Sequence, residues 1–365
     1  MRWTRIIAAS ATAMLCHASF AFAQDSGAGV TGISRSFNPA ISANALFDAV
    51  YADTHDDHDD DDDHDDEADH GHGASDESGM RVQEVELQLS AVVDAYLKAD
   101  LLLAFPDGEG VELEEGFVTT QSLPAGLQLK AGRFLAAMGH HNTLHAHQYP
   151  FLNAPLVNGH VLGDEGLAED GLSLSWLTPL PWFLELTGQV LDGRSELFAS
   201  PEDEDLLYLG HARSFWDVGE NWTLDLGGSY ATGTNPQGKT SSLLGAHGTI
   251  QWRDLDSWGR RVIWRGEYLR ADHGQIGGGD EEEGGGYTSL EAQIARRWWL
   301  QGRYDRMGLP GDEEDWRTSV LVGFIPSEFS ALRLQFDRRA ESGETSNVVS
   351  LQLNVTMGSH PAHRY

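Results

Sequence analysis

Two stretches of this 365-residue chain place histidine beside carboxylate, the combination with which proteins bind divalent metal ions. The first stretch, Asp53–Glu77, contains 14 acidic residues, and its five histidines are His55, His58, His64, His70 and His72. Imidazole and carboxylate together suit Zn²⁺, Ni²⁺ and Cu²⁺, so we expect this stretch to collect divalent cations weakly, at several sites. A solvated acidic segment without metal is the alternative.

The second stretch, Gly139–Asp170, holds the other candidate metal ligands. They are His140, His141, His145, His147 and His160, with Asp164, Glu165, Glu169 and Asp170 nearby. The spacing of His145 and His147 can deliver two nitrogens to one ion. No HExxH motif and no Cys/His finger spacing is present, so histidines that hydrogen-bond within a polar loop are the alternative. We predict that no cofactor is required and that Zn²⁺ or another divalent cation binds weakly.

The beginning of the chain has the pattern of a secretory signal peptide. Arg2 and Arg5 precede an apolar run, and Ala21-Phe22-Ala23 is the small-x-small pattern of a cleavage site. We therefore expect residues 1–23 to be a signal peptide and residues 24–40 a short lead-in. Cys16 is the only cysteine, so the exported chain is expected to contain no disulfide, cysteine-ligated metal or cysteine nucleophile.

The formal net charge of −33 limits the partners that the chain can have. An acidic surface repels nucleic acid, and no basic patch with interleaved aromatic residues is present. Cations are the natural partners of such a surface. We therefore expect no nucleic-acid partner.

Alternation of apolar and polar residues recurs along most of the chain. Every second residue is apolar in Leu332–Asp337 and again in Val349–Met357. This period of two predicts β-strands with one apolar face and one polar face. The polar face is strongly ionic, with Glu84, Glu86, Lys130, Asp225, Arg265, Glu267, Glu291, Arg303, Asp305, Arg333 and Asp337.

Aromatic residues and connections favour a membrane barrel over a soluble all-β fold. Aromatic residues cluster near strand ends, as in Trp182-Phe183, Phe215-Trp216, Trp222, Trp252, Trp298-Trp299 and Trp316. Short connections, such as Ile325–Ser327, alternate with longer acidic or glycine-rich ones, which include Asp192–Asp205, Thr232–Thr240, Ala271–Gly286 and Ala340–Ser346. This is the pattern of an outer-membrane barrel with short periplasmic turns and long extracellular loops.

We therefore predict an all-β fold, a transmembrane antiparallel β-barrel in the bacterial outer membrane, formed by residues 41–365. Counting strands gives about 16, and 14 would also fit. Asp53–Gly79 joins the first two strands, and we expect it to be extracellular and disordered because its like charges repel.

The stretch Gly139–Asp170 differs from the other connections in its apolar content. It contains Leu144, Tyr149, Phe151, Leu152, Leu156, Val157, Val161, Leu162 and Leu167. Because a fully solvated loop does not keep so many apolar residues, we expect this stretch to fold into the lumen as a constriction. An external cap is the alternative. The pairs Arg265/Glu267, Arg303/Asp305 and Arg333/Asp337 are predicted to neutralise each other as structural ladders.

Three parts of the chain resemble one group of bacterial proteins. They are Phe37–Ser42 with the Asp/His-rich loop and Glu84-x-Glu86-Leu87, then Gly132-Arg133-Phe134 through Asp170-Gly171, and the tail Met357–Tyr365. They resemble porin-like outer-membrane proteins often labelled zinc-regulated or TonB-dependent receptors. A TonB-dependent receptor needs about 22 strands and a plug, for which this chain is too short. The resemblance thus implies a porin-like barrel, and no TonB interaction is expected.

These features predict a porin-like channel for small solutes, linked to divalent metal (zinc) uptake or binding. A metal-binding receptor without general pore activity is the alternative. A barrel enzyme is less favoured, because no G-x-S-x-G, Walker or dinucleotide-binding motif occurs. The expected partners are outer-membrane lipids and small solutes or divalent cations, with a monomer or a homotrimer as the assembly.

Overall fold

A computed structural model describes residues 39–53, 78–106, 110–195, 197–201, 205–255, 259–275, 280–311, 314–341 and 343–358. The predicted signal peptide and the five histidines of the first stretch lie outside these residues. Sixteen strands are present in the described residues: β1 Ala40–Asp53, β2 Gly79–Val92, β3 Leu97–Pro106, β4 Glu112–Thr120, β5 Leu127–Leu135, β6 Ala168–Leu177, β7 Phe183–Leu191, β8 Leu207–Val218, β9 Trp222–Thr234, β10 Thr240–Arg253, β11 Arg261–Gly274, β12 Asp280–Ala295, β13 Trp298–Met307, β14 Trp316–Ser327, β15 Ser330–Glu341 and β16 Glu344–Gly358.

The strands form one closed antiparallel barrel in which each strand pairs with its neighbours in sequence. The barrel closes where β1 pairs with β16, with Phe47 opposite Leu353. Closure satisfies the backbone hydrogen bonds of both edge strands, which is the condition for a sheet to stand in a membrane. The predicted antiparallel barrel of about sixteen strands is confirmed.

Strand β15 shows that the apolar face points outward. Leu332, Leu334 and Phe336 are 43–49% exposed, whereas their neighbours in sequence are buried inside the barrel. Those buried neighbours are Arg333, Gln335 and Asp337. A soluble barrel would have the opposite pattern, so this alternation identifies a lipid-facing exterior and a polar lumen.

Aromatic side chains lie near both rims of the barrel. Trp182, Trp222 and Trp298 are exposed beside the short turns, and Tyr208 and Tyr230 are exposed near the opposite rim. Such residues form the interface girdles of membrane barrels. Trp299, which the sequence grouped with them, is instead buried, because the strand alternation turns it toward the lumen.

The short-turn rim is the end of the barrel with the connections 93–96, 121–126, 178–182, 219–221, 254–260, 296–297 and 328–329, and the long-loop rim is the opposite end. Strand pairing extends further toward the long-loop rim than the sequence predicted. Much of Ala271–Gly286 is strand, as are the outer parts of Thr232–Thr240 and Ala340–Ser346. The glycines here permit close approach rather than a loop: a Cβ at Gly284 would lie 2.8 Å from the carbonyl oxygen of Leu309.

None of the helices in the described ranges is long and apolar enough to cross a membrane.

Candidate functional site

The connection between β5 and β6, residues 136–167, is called the inner segment here. It contains two 3-10 turns, His141–Thr143 and Ala146–Gln148, and one short helix, α1, Leu156–Leu162. The sequence predicted this segment as Gly139–Asp170; its last residues instead belong to β6, which begins at Ala168.

The inner segment enters the barrel along the inward-facing side chains of β9 and β11. The backbone N–H of Gly139 donates to Ser229 Oγ at 3.0 Å, and the N–H groups of His140 and His141 donate to the two Glu267 carboxylate oxygens at 3.2 and 3.0 Å. Gly139 has a φ of +68°, and a Cβ there would lie 1.8 Å from Glu267 Oε1. Only glycine permits this approach of backbone to carboxylate.

Arginines of β13–β15 hold the middle of the inner segment by its carbonyl oxygens. Arg303 donates to the carbonyl oxygen of Asn153 at 2.9 Å, and Arg333 donates to that of Tyr149 at 2.7 Å. Arg317 donates to the carbonyl oxygen of Ala154. Because these arginines face inward, the inner segment lies within the lumen.

Cross-strand partners change part of the predicted charge ladder. Arg303 and Asp305 form the expected ion pair, at 2.8 Å. Arg265 pairs with Glu291 on β12 rather than with Glu267. The predicted pairing of Arg265 with Glu267 is therefore wrong, because spacing along one strand does not show which partner the next strand presents. Glu267 instead accepts the backbone N–H groups of the inner segment.

Apolar side chains of the inner segment pack against an apolar part of the barrel wall. Leu156, Val157, Val161 and Leu162 of α1 are buried. They join one cluster that also includes Phe134, Met138, Leu191, Phe198, Leu207, Leu243, Leu269 and Met307. Burial of each such side chain contributes roughly 1.5–3 kcal/mol, so the segment is held by packing as well as by hydrogen bonds.

A bulge in β4 directs two consecutive carboxylates toward His145 of the inner segment. The register of β3 with β4 shifts after Leu102, which opposes Glu115, so Glu114 is an extra residue. A bulge allows neighbouring side chains, which otherwise point to opposite faces, to reach the same face. His145 Nδ1 lies 2.7 Å from Glu114 Oε1, and Nε2 lies 3.1 Å from Glu115 Oε2.

A second imidazole and two more carboxylates continue this cluster. His147 stacks on His145 with ring centroids 6.0 Å apart and contacts the Glu86 carboxylate. The side-chain amide of Asn354 donates to the His147 carbonyl oxygen at 3.0 Å, which fixes the turn to β16. Carboxylate oxygens of Glu84, Glu86 and Glu114 lie within 4.8 Å of one another. We call Glu84, Glu86, Glu114, Glu115, His145 and His147 the acidic cluster.

Two cavities lie along this side of the lumen, on either side of the acidic cluster. The outer cavity, about 320 Å³, opens toward the long-loop rim and is lined by Glu84, Glu112, Glu114, Arg133, Tyr149, Asp164 and Glu165, among others. The inner cavity, about 340 Å³, lies toward the short-turn rim and is lined by Gln88, Lys98, Asp100, Glu115, Thr119 and His145, among others. Carboxylates outnumber cationic side chains five to one in the outer cavity.

The histidines of the inner segment have opposite electrostatic surroundings. Burial alone would lower the pKa of His145, but the hydrogen bonds that its ring donates to Glu114 and Glu115 outweigh burial and raise the pKa well above the ordinary value. Burial lowers the pKa of His140 to about 3, and nearby Arg265 acts in the same direction. At neutral pH His145 is therefore an imidazolium ion that crosslinks two carboxylates, whereas His140 is neutral.

The structure brings together two of the five predicted histidine ligands of the inner segment. His145 and His147 share the acidic cluster, whereas His141 is buried against Tyr149 and His160 is exposed on α1. The ring centroids of His140 and His247 are 5.8 Å apart, and the His247 ring stacks on that of His211 with centroids 5.5 Å apart. The sequence did not indicate this second histidine group because His140 lies on the inner segment whereas His211 and His247 lie on β8 and β10. It did not indicate Glu114 because a bulge breaks the alternation.

Comparison with known proteins gives one relative in sequence. No family model matches the chain. An uncharacterized protein of Aquifex aeolicus is 31% identical, and the match covers 81% of this chain and 73% of that protein.

Several solved structures share the fold at low sequence identity. An anion-selective porin from Comamonas acidovorans superposes with a TM-score of 0.58 at 12% identity, covering 87% of this chain and 99% of the porin. Pseudomonas putida OprB gives 0.57 at 11% identity, covering 88% and 94%. The outer-membrane channel DcaP of Acinetobacter baumannii gives 0.56 at 10% identity, covering 87% and 97%. At such identities the likeness concerns the fold.

Proposed function

We propose that this chain, a member of the same family as the Aquifex aeolicus protein, forms a channel for small solutes, with a preference for cations. Its closed barrel, which is that of a bacterial outer-membrane porin, supports this proposal. One observation carries this proposal. Two cavities follow one side of the lumen, from the long-loop rim toward the short-turn rim, and the acidic cluster lies between them. The inner segment fills the other side.

The inner segment acts as the constriction in this proposal. Its contacts extend from Glu267 on β11 to Arg333 on β15, and its apolar helix packs against the wall between these polar anchors. A segment held at so many points narrows the lumen permanently rather than opening and closing freely. Small solutes therefore pass only along the side of β2–β5, where the polar cavities lie.

The lining charges favour cations over anions. A pore selects among ions through the charged groups that narrow it, and carboxylate rings favour cations. Five carboxylates and one guanidinium line the outer cavity. The named function of the Comamonas porin, which is anion-selective, is therefore not expected here, although the fold is shared.

A link to divalent metals, including zinc, is the finer part of the proposal. It is supported by the carboxylates of Glu84, Glu86 and Glu114, which converge beside the outer cavity, and by the His147 imidazole that contacts Glu86. The competing function, a metal-binding receptor without general pore activity, would rest on the same residues. A conductance measurement separates the two, because a receptor without a pore carries no ion current.

Planar lipid bilayers provide the test. We expect discrete channels and, under a KCl gradient, a reversal potential of the sign for cation selectivity. Asp164 and Glu165 are exposed in the outer cavity, so the double substitution Asp164→Asn/Glu165→Gln should reduce this selectivity. The matched control Glu220→Gln/Glu328→Gln neutralises two exposed carboxylates in short turns and should not change it. Folded protein that forms no channels would overturn the proposal.

A further inference from the structure

We propose that Glu84, Glu86 and Glu114 form a binding site for a divalent cation of the oxygen-ligand type, such as Ca²⁺, Mg²⁺ or Mn²⁺, at the floor of the outer cavity. The site deepens the proposed function, since it rests on the same passage. Binding can nevertheless be measured without any current through the channel.

Three carboxylates converge here from two strands. Glu84 and Glu86 lie two residues apart on β2, so both face the lumen. The β4 bulge brings Glu114 beside them. One oxygen from each residue lies within 4.8 Å of the other two. Oxygens that surround a cation at 2.0–2.6 Å from its centre have roughly this spacing.

Two of these carboxylates are buried, and one oxygen in particular lacks a partner. Glu84 is 5% exposed and Glu86 is 3% exposed. Among the described residues, no donor reaches Glu86 Oε1 with hydrogen-bond geometry, although this carboxylate lies beside Glu84 and its other oxygen contacts His147. Glu114 Oε2 is likewise buried without one. A buried carboxylate oxygen without a donor is costly, and a bound cation removes that cost.

The neighbouring imidazoles favour oxygen ligation over a histidine site. Both ring nitrogens of His145 are already engaged, by Glu114 and Glu115. His147 contacts Glu86 and so orients that carboxylate, as partners of metal ligands commonly do. The atoms left to face a cation are carboxylate oxygens, which suit Ca²⁺, Mg²⁺ and Mn²⁺. This choice differs from the histidine-based Zn²⁺ site that the sequence predicts.

Sharing of a proton between carboxyl groups is the competing account of the same geometry. A proton held between Glu84 and Glu86 would also relieve the repulsion and would leave no cation affinity. Binding measurements therefore decide between the two accounts.

Terbium luminescence is a direct test, because Tb³⁺ replaces Ca²⁺ at oxygen sites and is excited through nearby aromatic rings. Tyr149 lines the same cavity as Glu84 and Glu114. Purified full-length mature protein in detergent would be titrated with Tb³⁺ and then with Ca²⁺. Glu86→Gln and the double variant Glu84→Gln/Glu114→Gln test the ligands. Glu112→Gln is the matched control, because it removes one charge from the same cavity outside the converging set.

We expect the ligand variants to lose the component of the signal that Ca²⁺ displaces, with at least a tenfold loss of affinity, whereas Glu112→Gln keeps it. Weak binding by the acidic stretch Asp53–Glu77 would remain equal in all proteins. Equal signals in parent and ligand variants, or an equal loss in Glu112→Gln, would overturn the site, as would a signal that Ca²⁺ does not displace.

Heat-modifiable migration in detergent gels would establish that each variant is folded, and Glu86→Gln alone suffices if the double variant is not. Channels without a Tb³⁺ signal that depends on Glu84, Glu86 and Glu114 would refute the site and leave the proposed function intact. Binding without channels would refute the proposed function and leave the site.

Discussion

The imidazole of His145 lies between two consecutive residues of β4, with Nδ1 2.7 Å from Glu114 Oε1 and Nε2 3.1 Å from Glu115 Oε2. Consecutive residues of a regular strand cannot do this, because they face opposite sides of the sheet. The bulge therefore creates a paired carboxylate at the point where the inner segment meets the acidic side of the lumen. His145 is charged there, so it both anchors the segment and neutralises part of the passage.

Removal of His145 should loosen the turn Ala146–Gln148. His145→Ala leaves Glu114 and Glu115 without their cation, and breaking a buried ion pair costs about 3–5 kcal/mol. Hydrogen exchange of peptides that cover this turn should become 100-fold faster or more. His160→Ala, on the exposed face of α1, is the control and should leave the exchange rates unchanged. Equal rates in both variants would contradict the anchoring role.

Acid should weaken the entry of the inner segment into the lumen. The pKa of His140 is depressed to about 3, so this neutral histidine contributes stability that is present above about pH 6.5 and is lost as the pH falls toward 3. The charged and titratable groups that face His140 are Arg265, His247, Arg213 and Asp225. For each unit by which the pH falls within that window, the docked inner segment loses up to about 1.4 kcal/mol of stability.

Hydrogen exchange over residues 136–141 at pH 7 and pH 4.5, corrected for the intrinsic rate, measures this effect. Protection should decrease at pH 4.5, and His140→Gln should remove part of the decrease because glutamine does not titrate. Protection that is independent of pH would show that the segment is held without regard to the charge on His140.

A methyl group at Gly139 should separate the backbone from Glu267. The added Cβ would lie 1.8 Å from Glu267 Oε1, and the φ of +68° disfavours any other residue. Gly139→Ala should therefore destabilise docking of the inner segment by about 1–3 kcal/mol. Gly159→Ala is the matched control. The added Cβ there would lie 3.9 Å from the nearest atom, Asp164 Oδ1, and alanine favours the helix. Limited proteolysis of the folded barrels should cut the Gly139 variant faster and the Gly159 variant no faster than the parent.

The acidic stretch between β1 and β2 should collect cations without supporting the barrel. β1 ends at Asp53 and β2 begins at Gly79. The N–H of Ala52 donates to Ser78 Oγ at 3.0 Å, so the ends of the chain on either side of the stretch are already joined. Removing residues 54–73 should leave assembly and conductance intact but abolish most Zn²⁺ binding in calorimetry. Binding by the parent should fall as pH drops through about 6.5, where free histidine protonates. If the deletion variant binds as much Zn²⁺ as the parent, the histidines of the inner segment become the better candidates for Zn²⁺ binding.

Prediction from the sequence succeeded where the pattern is local and repeated along the chain, as is the alternation of apolar and polar side chains in a strand. The alternation at Leu332–Asp337 indicated a strand with one apolar and one polar face, and β15 has this pattern. Prediction failed where the outcome depends on pairing between strands. The bulge at Glu114, the partner of Arg265 and the approach of His211 to His247 depend on register, which no single strand encodes.

If a channel runs beside the inner segment and is narrowed by it, deletion of the segment should change the single-channel conductance. β5 and β6 are paired neighbours, with Leu135 opposite Ala168, so residues 136–138 and 165–167 suffice to join them when 139–164 are deleted. The folded deletion variant should form channels of severalfold larger conductance and weaker cation selectivity than the parent. A folded variant with the conductance and selectivity of the parent would show that the inner segment does not narrow the channel.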